Sequence, residues 1–397
     1  MSEREPGALQ PVLAGFVASL VGFASTFALV LAGLRAVGAD EEQAASGLVA
    51  LCLTMGVVAI ALGVRYRMPL TIAWSTPGAA LLISSGQPAG GYAAALGAFA
   101  FAGVLIVVAG LWRALARWVA RIPPALASAM LAGVLLPVCL APVRAVVELP
   151  WEVGPVIAVW VLLMRFARRW AVPGAIAVAA VVIAVDPLDA AGPARLLPTL
   201  TFTAPAFDAG ALISLGLPLF IVTMASQNVP GIGVLASFGY QAPVRPALVT
   251  TGAATVASAP FGAHSINLAA ITAALAAGPD AHPDPARRWI ASASGGGAYL
   301  VLGLTAGAAT TLVTVAPPLL IEAVAGLALF GALGAALAAA AADAERREAA
   351  IVTFVVSASS ITAAGISAPF WGLAAGLAYL GLQRTRVARR EPARQPA

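Results

Sequence analysis

The sequence predicts an all-α polytopic membrane protein of fourteen spans, built as two inverted repeats of seven with two short extended segments and half-helices. Three observations lead to this fold class. Of the 397 residues, 61% are apolar and only 10% are charged, whereas soluble domains carry about 25% charged residues. The lengths of the long uncharged stretches are close to the roughly 20 residues that a helix needs to cross the hydrocarbon core. All 22 basic residues are arginines, clustered between those stretches.

Uninterrupted apolar segments predict twelve of the spans. They cover residues 12–34, 44–62, 91–112, 122–142, 153–166, 171–186, 209–227, 246–258, 290–314, 317–342, 349–364 and 368–383. Two further apolar stretches, near residues 70–86 and 259–278, are interrupted by proline, glycine and polar residues. Counting these two gives fourteen spans.

The arginines predict the orientation of the chain. With fourteen spans, 19 arginines fall on one side of the membrane and three, Arg35, Arg144 and Arg195, on the other. The positive-inside rule makes the arginine-rich side cytoplasmic. We therefore expect both termini to be cytoplasmic, including a basic tail over residues 386–397. A twelve-span arrangement loses this asymmetry.

An internal duplication divides the chain into two repeats, residues 1–190 and 195–385. A shift of 194 residues lays Pro123-Pro124 on Pro317-Pro318 and matches the pattern of spans in the two halves. Because seven is odd, the second repeat enters the membrane in the opposite orientation. The alternative is that a chain rich in Gly, Ala and Leu aligns with itself at many offsets.

Several function classes are disfavoured by composition. Cys52 and Cys139 lie in apolar runs, which excludes a disulfide scaffold and a Cys-based metal site. The only histidines are His264 and His282, and nothing indicates a cofactor, a metal or a hydrolytic centre, so we expect no enzyme activity. The scattered arginines do not form a nucleic-acid-binding face. A channel would need a continuous polar stripe or rings of charge, and neither is found.

The first interrupted stretch predicts an extended segment followed by a half-helix. Residues Leu70 to Trp74 are β-prone, Ser75 or Thr76 can cap a helix, and Pro77 suits the first helical position. Gly78 follows in the first turn. The half-helix would then begin near the middle of the membrane, where non-helical backbone is tolerated only if it is buried in protein or lines a cavity.

The second interrupted stretch has the same character. Pro260 and Gly262 disfavour a helix, and Ser265 can cap one that starts at Ile266. Two half-helix N-termini can direct N–H groups and partial positive charge at one anion. The pair therefore predicts an anionic substrate. The alternative is a proline or glycine kink in an ordinary span, or a re-entrant loop.

Ionisable groups inside the apolar regions are candidates for proton coupling. His264 lies at the second break and could donate to a carboxylate or carry the proton. Its alternative role is that of a neutral histidine bonded to loop carbonyls. Glu322 lies one turn into the span that begins at Pro317-Pro318, and burial would favour its protonated form. Its alternative is to face interfacial water.

Neutral side chains complete the predicted site. Gln227 and Asn228 end a span where we expect the chain to unwind, and they can bind a carboxylate or bond helices together. Phe261 could stack on a planar ring or serve only in packing. The predicted substrate-binding residues are Ser75, Thr76, Gly78, Gln227, Asn228, Phe261, His264, Ser265 and Asn267.

Three of these motifs resemble the bacterial benzoate:proton symporter family, BenE. They are Ala-Trp-Ser-Thr-Pro-Gly-Ala at 73–79, Ser-Gln-Asn-Val-Pro-Gly at 226–231 and Pro-Phe-Gly-Ala-His-Ser-Ile-Asn-Leu-Ala-Ala-Ile-Thr at 260–272. The resemblance extends over about residues 10–385. The family is in turn similar to the nucleobase/ascorbate transporters, which implies a core domain over 10–115 and 207–314 and a gate domain over 121–190 and 315–385.

The resemblance also implies a substrate and a mechanism. In the nucleobase relatives acidic residues hold the ligand, whereas here His264 and the Ser226-Gln227 region stand at those positions, which suits a carboxylate. The implied function is import of an aromatic carboxylate, benzoate, with a proton by alternating access across a bacterial inner membrane. The resemblance also allows a homodimer. The alternatives are another small anion, such as a nucleobase, sulfate or a different aromatic acid, and an uncoupled anion facilitator.

Overall fold

The computed structural model describes residues 9–112, 123–185, 199–269, 271–307, 317–363 and 366–388. Its first half contains α1 (Leu9–Ala36), α2 (Glu41–Tyr66), β1 (Ile72–Trp74), α3 (Thr76–Ser85), α4 (Gly91–Leu111), α5 (Pro124–Cys139), α6 (Ala141–Glu148), α7 (Pro150–Phe166) and α8 (Ala171–Val185). The predicted boundary between the repeats and nearly all of the basic tail lie outside the described residues.

The second half repeats much of this order. It contains α9 (Ala209–Ser237), α10 (Val244–Ser258), β2 (Ile266–Leu268), α11 (Ile271–Ala277), α12 (Trp289–Leu304), α13 (Pro318–Ala341), α14 (Arg347–Ala358), β3 (Thr362–Ala363), β4 (Ile366–Ser367) and α15 (Ala368–Ala388). Within the described residues, six helical segments are long and apolar enough to cross a membrane: α1, α2, α4, α5 with α6, α9 and α13. The prediction of a helical multi-pass membrane protein is confirmed.

The predicted span 209–227 is too short, because helix α9 continues to Ser237. Two π-helical segments, Leu212–Gly216 and Met224–Asn228, interrupt its α-helical geometry. Each is followed at the second residue by a proline, Pro218 or Pro230. Proline lacks an N–H and clashes with the carbonyl four residues earlier, and a wider π turn accommodates both effects. The predicted unwinding at Gln227-Asn228 is therefore wrong: the chain stays helical there.

The two interrupted stretches cross each other inside the molecule. Strands β1 and β2 pair antiparallel, with Ile72 opposite Leu268, Ala73 opposite Asn267 and Trp74 opposite Ile266. Each residue of β2 lies 194 positions after its counterpart in β1. A two-fold axis between the paired residues Ala73 and Asn267 would exchange the two strands and produce this register. The complete seven-plus-seven repeat stays a prediction.

The second half-helix starts later than predicted. Ser265 does not cap a helix at Ile266, because Ile266–Leu268 is extended and helix α11 begins at Ile271. Strand β1 supplies the hydrogen-bonding edge that holds these residues extended. A buried strand needs partners for its N–H and C=O groups, and β1 provides them from the other half of the chain.

Close helix packing surrounds the crossing. Helix α12 packs on α1 and α2, and α4 packs on α10, while α5 packs on α13 and α14. At the α2–α12 contact, glycines Gly56 and Gly296 face each other. A Cβ built on either would lie 2.7 Å from the other's carbonyl oxygen. Small residues thus let the two backbones approach closely, as is common between membrane helices.

The α2–α12 contact predicts a difference between two neighbouring glycines. Gly296→Ala should lower the thermal unfolding temperature of the detergent-solubilised protein, because the new methyl group meets backbone and not a movable side chain. We expect a loss of about 1–3 kcal/mol. Gly297→Ala is the matched control, since a Cβ there meets nothing within 4 Å and alanine favours helix. Equal melting temperatures for the two variants would contradict this account of the packing.

Candidate substrate site

The first half-helix begins at Ser75, which caps it. The Ser75 hydroxyl oxygen accepts a hydrogen bond from the Gly78 N–H at 3.0 Å. Thr76 is the first helical residue, so Pro77 occupies the second position and not the predicted first. Because Pro77 has no N–H and the Gly78 N–H is already capped, this turn offers few backbone donors to an anion. The side chain of Thr76 is then the nearest donor at this helix end.

A chain of buried hydroxyl groups links the two breaks to helix α9. The Thr223 hydroxyl donates to the Ser75 oxygen at 3.1 Å and lies 3.2 Å from the Ser265 oxygen. All three side chains are fully buried. These contacts fix the start of α3 relative to the residues that precede β2.

His264 packs against the start of helix α3. Its Nε2 is 3.1 Å from the Ser75 carbonyl oxygen, and because a carbonyl only accepts, this nitrogen donates. Within the described part of the chain its Nδ1 has no hydrogen-bond partner. The ring is fully buried and stands edge-on to Phe99, with 6.3 Å between the ring centres.

The ends of β2 are tied to neighbouring helices by side-chain oxygens. The Asn228 Oδ1 accepts from the Leu268 N–H at 2.9 Å, and the Thr255 hydroxyl accepts from the Ile266 N–H at 2.9 Å. Asn228 is fully buried. Its amide therefore supports the crossing of the strands and does not face open space.

Two adjoining cavities lie in front of this crossing. The larger one has a volume of about 480 Å³ and lies between the start of α3, helix α9 and helices α5 and α13. It is lined by Thr76, Pro77, Pro124, Ala127, Ser128, Leu131, Leu135, Val222, Ala225, Ser226, Gln227, Val229, Pro230, Leu329, Ala332, Ala335, Ala336 and Ala339. The smaller one, of about 90 Å³, is lined by Gly22, Ser25, Thr26, Ala73, Trp74, Thr76, Gln227, Ala269, Thr272 and Tyr299. Thr76 and Gln227 line both, so they stand at the junction.

The two cavities differ in polarity but share one property. Every described residue that lines them is uncharged. The larger cavity has mainly apolar walls, with polar side chains at only Thr76, Ser128, Ser226 and Gln227. In the smaller cavity most of the lining side chains can form hydrogen bonds. One end of the combined site is therefore polar and the other apolar.

The predicted site residues fall into three groups. Thr76 and Gln227 line the cavities. Five are fully buried in or beside the paired strands: Ser75, Asn228, His264, Ser265 and Asn267. Gly78 is also buried, and a Cβ built on it would lie 2.7 Å from Leu219 and 2.8 Å from Ser75. The third group lies elsewhere: Phe261 stands edge-on to Phe202 at 5.8 Å, and Glu322 is exposed, so the burial that its proposed role required is not met.

Four residues of the smaller cavity are not among the predicted site residues: Ser25, Thr26, Thr272 and Tyr299. Ser25, Thr26 and Tyr299 lie within unbroken helices, whereas Thr272 lies at the start of α11 in the second interrupted stretch. Trp74 gives a partial signal, since it belongs to the first break and its Nε1 donates to the Thr26 hydroxyl at 3.0 Å. Tyr299 stands edge-on to the Trp74 ring, with 6.1 Å between the ring centres.

The broken spans, the crossed strands and the cavity between helices define a multi-pass membrane protein of the transporter class. A family model described as "Benzoate membrane transport protein" matches residues 6–382, and the chain belongs to this family, BenE. Membership makes it a membrane transporter and not an enzyme.

Individual relatives agree with this membership. The chain is 40% identical over 369 residues to the inner membrane protein YdcO of Escherichia coli (strain K12), covering 92% of this chain and 93% of YdcO. It is 29% identical over 393 residues to the benzoate membrane transport protein of Acinetobacter baylyi, covering 97% and 98%. Among solved structures, the transmembrane domain of the cyanobacterial bicarbonate transporter BicA is similar with a TM-score of 0.62 and 17% identity, covering 94% and 99%. At that identity the similarity concerns the fold alone.

Proposed function

We propose that the protein imports a small aromatic carboxylate, benzoate or a close analogue, together with a proton, by alternating access. One observation carries this proposal: two half-helices meet at a pair of uncharged cavities, one polar and one apolar, joined at Thr76 and Gln227. A carboxylate fits the polar end and an aromatic ring fits the apolar end. Similarity to the benzoate membrane transport protein of Acinetobacter baylyi supports the same substrate class.

The lining is compatible with an anion, because it offers hydroxyl and amide donors and its described residues include no acidic side chain. A carboxylate would accept from the Thr76 hydroxyl and the Gln227 amide beside the positive end of the α3 dipole. No acidic side chain among the described lining residues would repel it. The ring would lie between Leu131, Val222 and Leu329, where burial of apolar surface stabilises the complex.

Proton coupling has a physical reason. An inside-negative potential opposes entry of an anion by about 2.3 kcal/mol per charge per 100 mV, and a proton moving with it cancels that opposition. Of the two predicted carriers we propose His264, because its Nδ1 has no partner among the described residues and could take up a proton while Nε2 donates to the Ser75 carbonyl. Exposure of Glu322 argues against that residue.

The location of the larger cavity supports alternating access. Its lining comes from the beginning of α5, at Pro124, and from the second half of α13, through Ala339. In the first half of α13, Ile321 and Val324 instead approach Phe27 of α1 around a small apolar gap. By the arginine distribution, the end of the cavity at Pro124 and Ala339 is the one nearer the cytoplasm. We propose that the core and gate domains exchange this arrangement for its opposite during transport.

Orientation and location follow the same proposal. The arginine distribution supports cytoplasmic termini, and similarity to the Escherichia coli inner membrane protein YdcO supports a bacterial inner membrane. The gate domain would supply the surface of a homodimer, if one forms.

Uptake into sealed proteoliposomes tests the proposal. With the outside made more acidic, labelled benzoate should accumulate faster in proteoliposomes than in protein-free liposomes, which the neutral acid enters unaided, and without the gradient it should only equilibrate. Equilibration under both conditions would indicate an uncoupled facilitator, and no specific entry would overturn the substrate class.

The proton carrier is tested with His264→Gln, which keeps a donor for the Ser75 carbonyl but does not titrate near neutral pH. This variant should bind benzoate within a few-fold of wild type and lose gradient-driven accumulation. Glu322→Gln serves as the control and should accumulate normally. Normal accumulation by His264→Gln would remove His264 as the carrier.

A further inference from the structure

Tyr299 is a buried residue that lines the smaller cavity, and its hydroxyl group has no protein partner among the described residues. The residue is 5% exposed and lines that cavity from helix α12. Its hydroxyl makes no hydrogen bond to the part of the chain that the structure describes. A Cβ built on Gly22 would lie 3.1 Å from the Tyr299 oxygen, which locates the oxygen beside helix α1. Buried polar groups normally have partners, so this donor is available for a ligand.

Some of the other hydroxyl groups that line the two cavities already donate their protons to backbone carbonyl groups. Ser25 and Thr26 both donate to the Gly22 carbonyl, at 3.1 and 2.9 Å. In the larger cavity, Ser226 donates to the Val222 carbonyl. Such hydroxyls can still accept, but an anion needs donors.

Three hydroxyls around the smaller cavity keep their protons free within the described chain: Thr76, Thr272 and Tyr299. Thr76 lies at the junction with the larger cavity, and Tyr299 lies at the α1 side beside Trp74. A carboxylate has two oxygens and accepts from donors on both sides. The smaller cavity thus has donors suited to a carboxylate.

We infer that Tyr299 is a substrate-binding residue that donates a hydrogen bond to the carboxylate of the aromatic acid. The carboxylate occupies the smaller cavity between Thr76 and Tyr299, and the ring projects past Gln227 into the apolar larger cavity. This orientation rests on the proposed function and adds to it the direction in which the substrate binds.

Isothermal titration of the purified full-length protein with benzoate tests the inference. Tyr299→Phe removes only the hydroxyl and should raise the Kd about tenfold or more, as expected for a lost hydrogen bond to a charged group. The ligand-free melting temperature should not fall, because no protein hydrogen bond is lost. Tyr92→Phe is the matched control: Tyr92 is 7% exposed and its hydroxyl also lacks a partner among the described residues, but it lines neither cavity.

A second variant perturbs the Tyr299 hydroxyl group without removing it. Gly22→Ala places a methyl group against the Tyr299 oxygen and should also weaken benzoate binding. If both variants bind benzoate as tightly as wild type, the inference is wrong while the proposed function stands. If wild type itself binds no aromatic carboxylate, the proposed function fails. A Kd raised equally by Tyr92→Phe and Tyr299→Phe would also overturn the assignment, because the effect would not be specific to the cavity.

Discussion

Replacing Gln227 with glutamate is expected to lower benzoate uptake about 100-fold or more. Gln227 is 5% exposed and lines both cavities at their junction. Glutamate has nearly the same shape but brings a negative charge next to the proposed position of the carboxylate. Juxtaposed like charges at a buried contact cost several kcal/mol, and each 1.4 kcal/mol is a factor of ten in affinity. The initial rate of labelled benzoate uptake measures the effect.

Two further variants separate charge from loss of the amide. Gln227→Met removes the amide without adding charge, and we expect a smaller loss of about tenfold. Ser237→Glu adds the same charge to an exposed position near the end of helix α9 and should leave uptake unchanged. If Gln227→Glu transports benzoate as well as wild type, the carboxylate does not pass this junction, and the proposed site is wrong.

The first half-helix could be predicted because its signals are local. Ser75 caps the helix that includes Pro77, and both residues lie within one turn of its start. Strand β2 could not be predicted in the same way, because its partner β1 lies in the other half of the chain. The local pattern predicts Ser265 as a helix cap, whereas the Ser265 hydroxyl contacts Thr223 of helix α9.

The candidate site was only partly predictable for a related reason. The sequence indicated the Gln227-Asn228 pair, but only the helix geometry decides that Gln227 lines the cavities while Asn228 turns toward strand β2. Tyr299 has no local signal, because α12 is unbroken around it, and the neighbours that place it at the cavity lie on helix α1 and strand β1. Residues that act through tertiary contacts leave little trace in local sequence patterns.

Alternating access predicts that filling the cavity wall blocks transport more than binding. Ala335 of helix α13 lines the larger cavity, and closure would bring this wall toward the half-helices. In Ala335→Phe the larger side chain would occupy the space that closure needs, and overpacking of this kind costs typically 1–3 kcal/mol. We therefore expect uptake to fall about 10- to 100-fold.

The comparison of binding with transport makes this prediction specific to the conformational step. The carboxylate is proposed to bind in the smaller cavity, which does not include Ala335, and Ala335 lies more than one helical turn beyond Leu329, the proposed ring contact on α13. The benzoate Kd of Ala335→Phe should therefore change only a few-fold while its maximal uptake rate falls. Ala338→Phe is the matched control, since Ala338 is exposed on the same helix and lines neither cavity. Unchanged uptake by Ala335→Phe would mean that the wall does not approach the half-helices. A fixed pore or another closing surface would then have to explain how the substrate crosses.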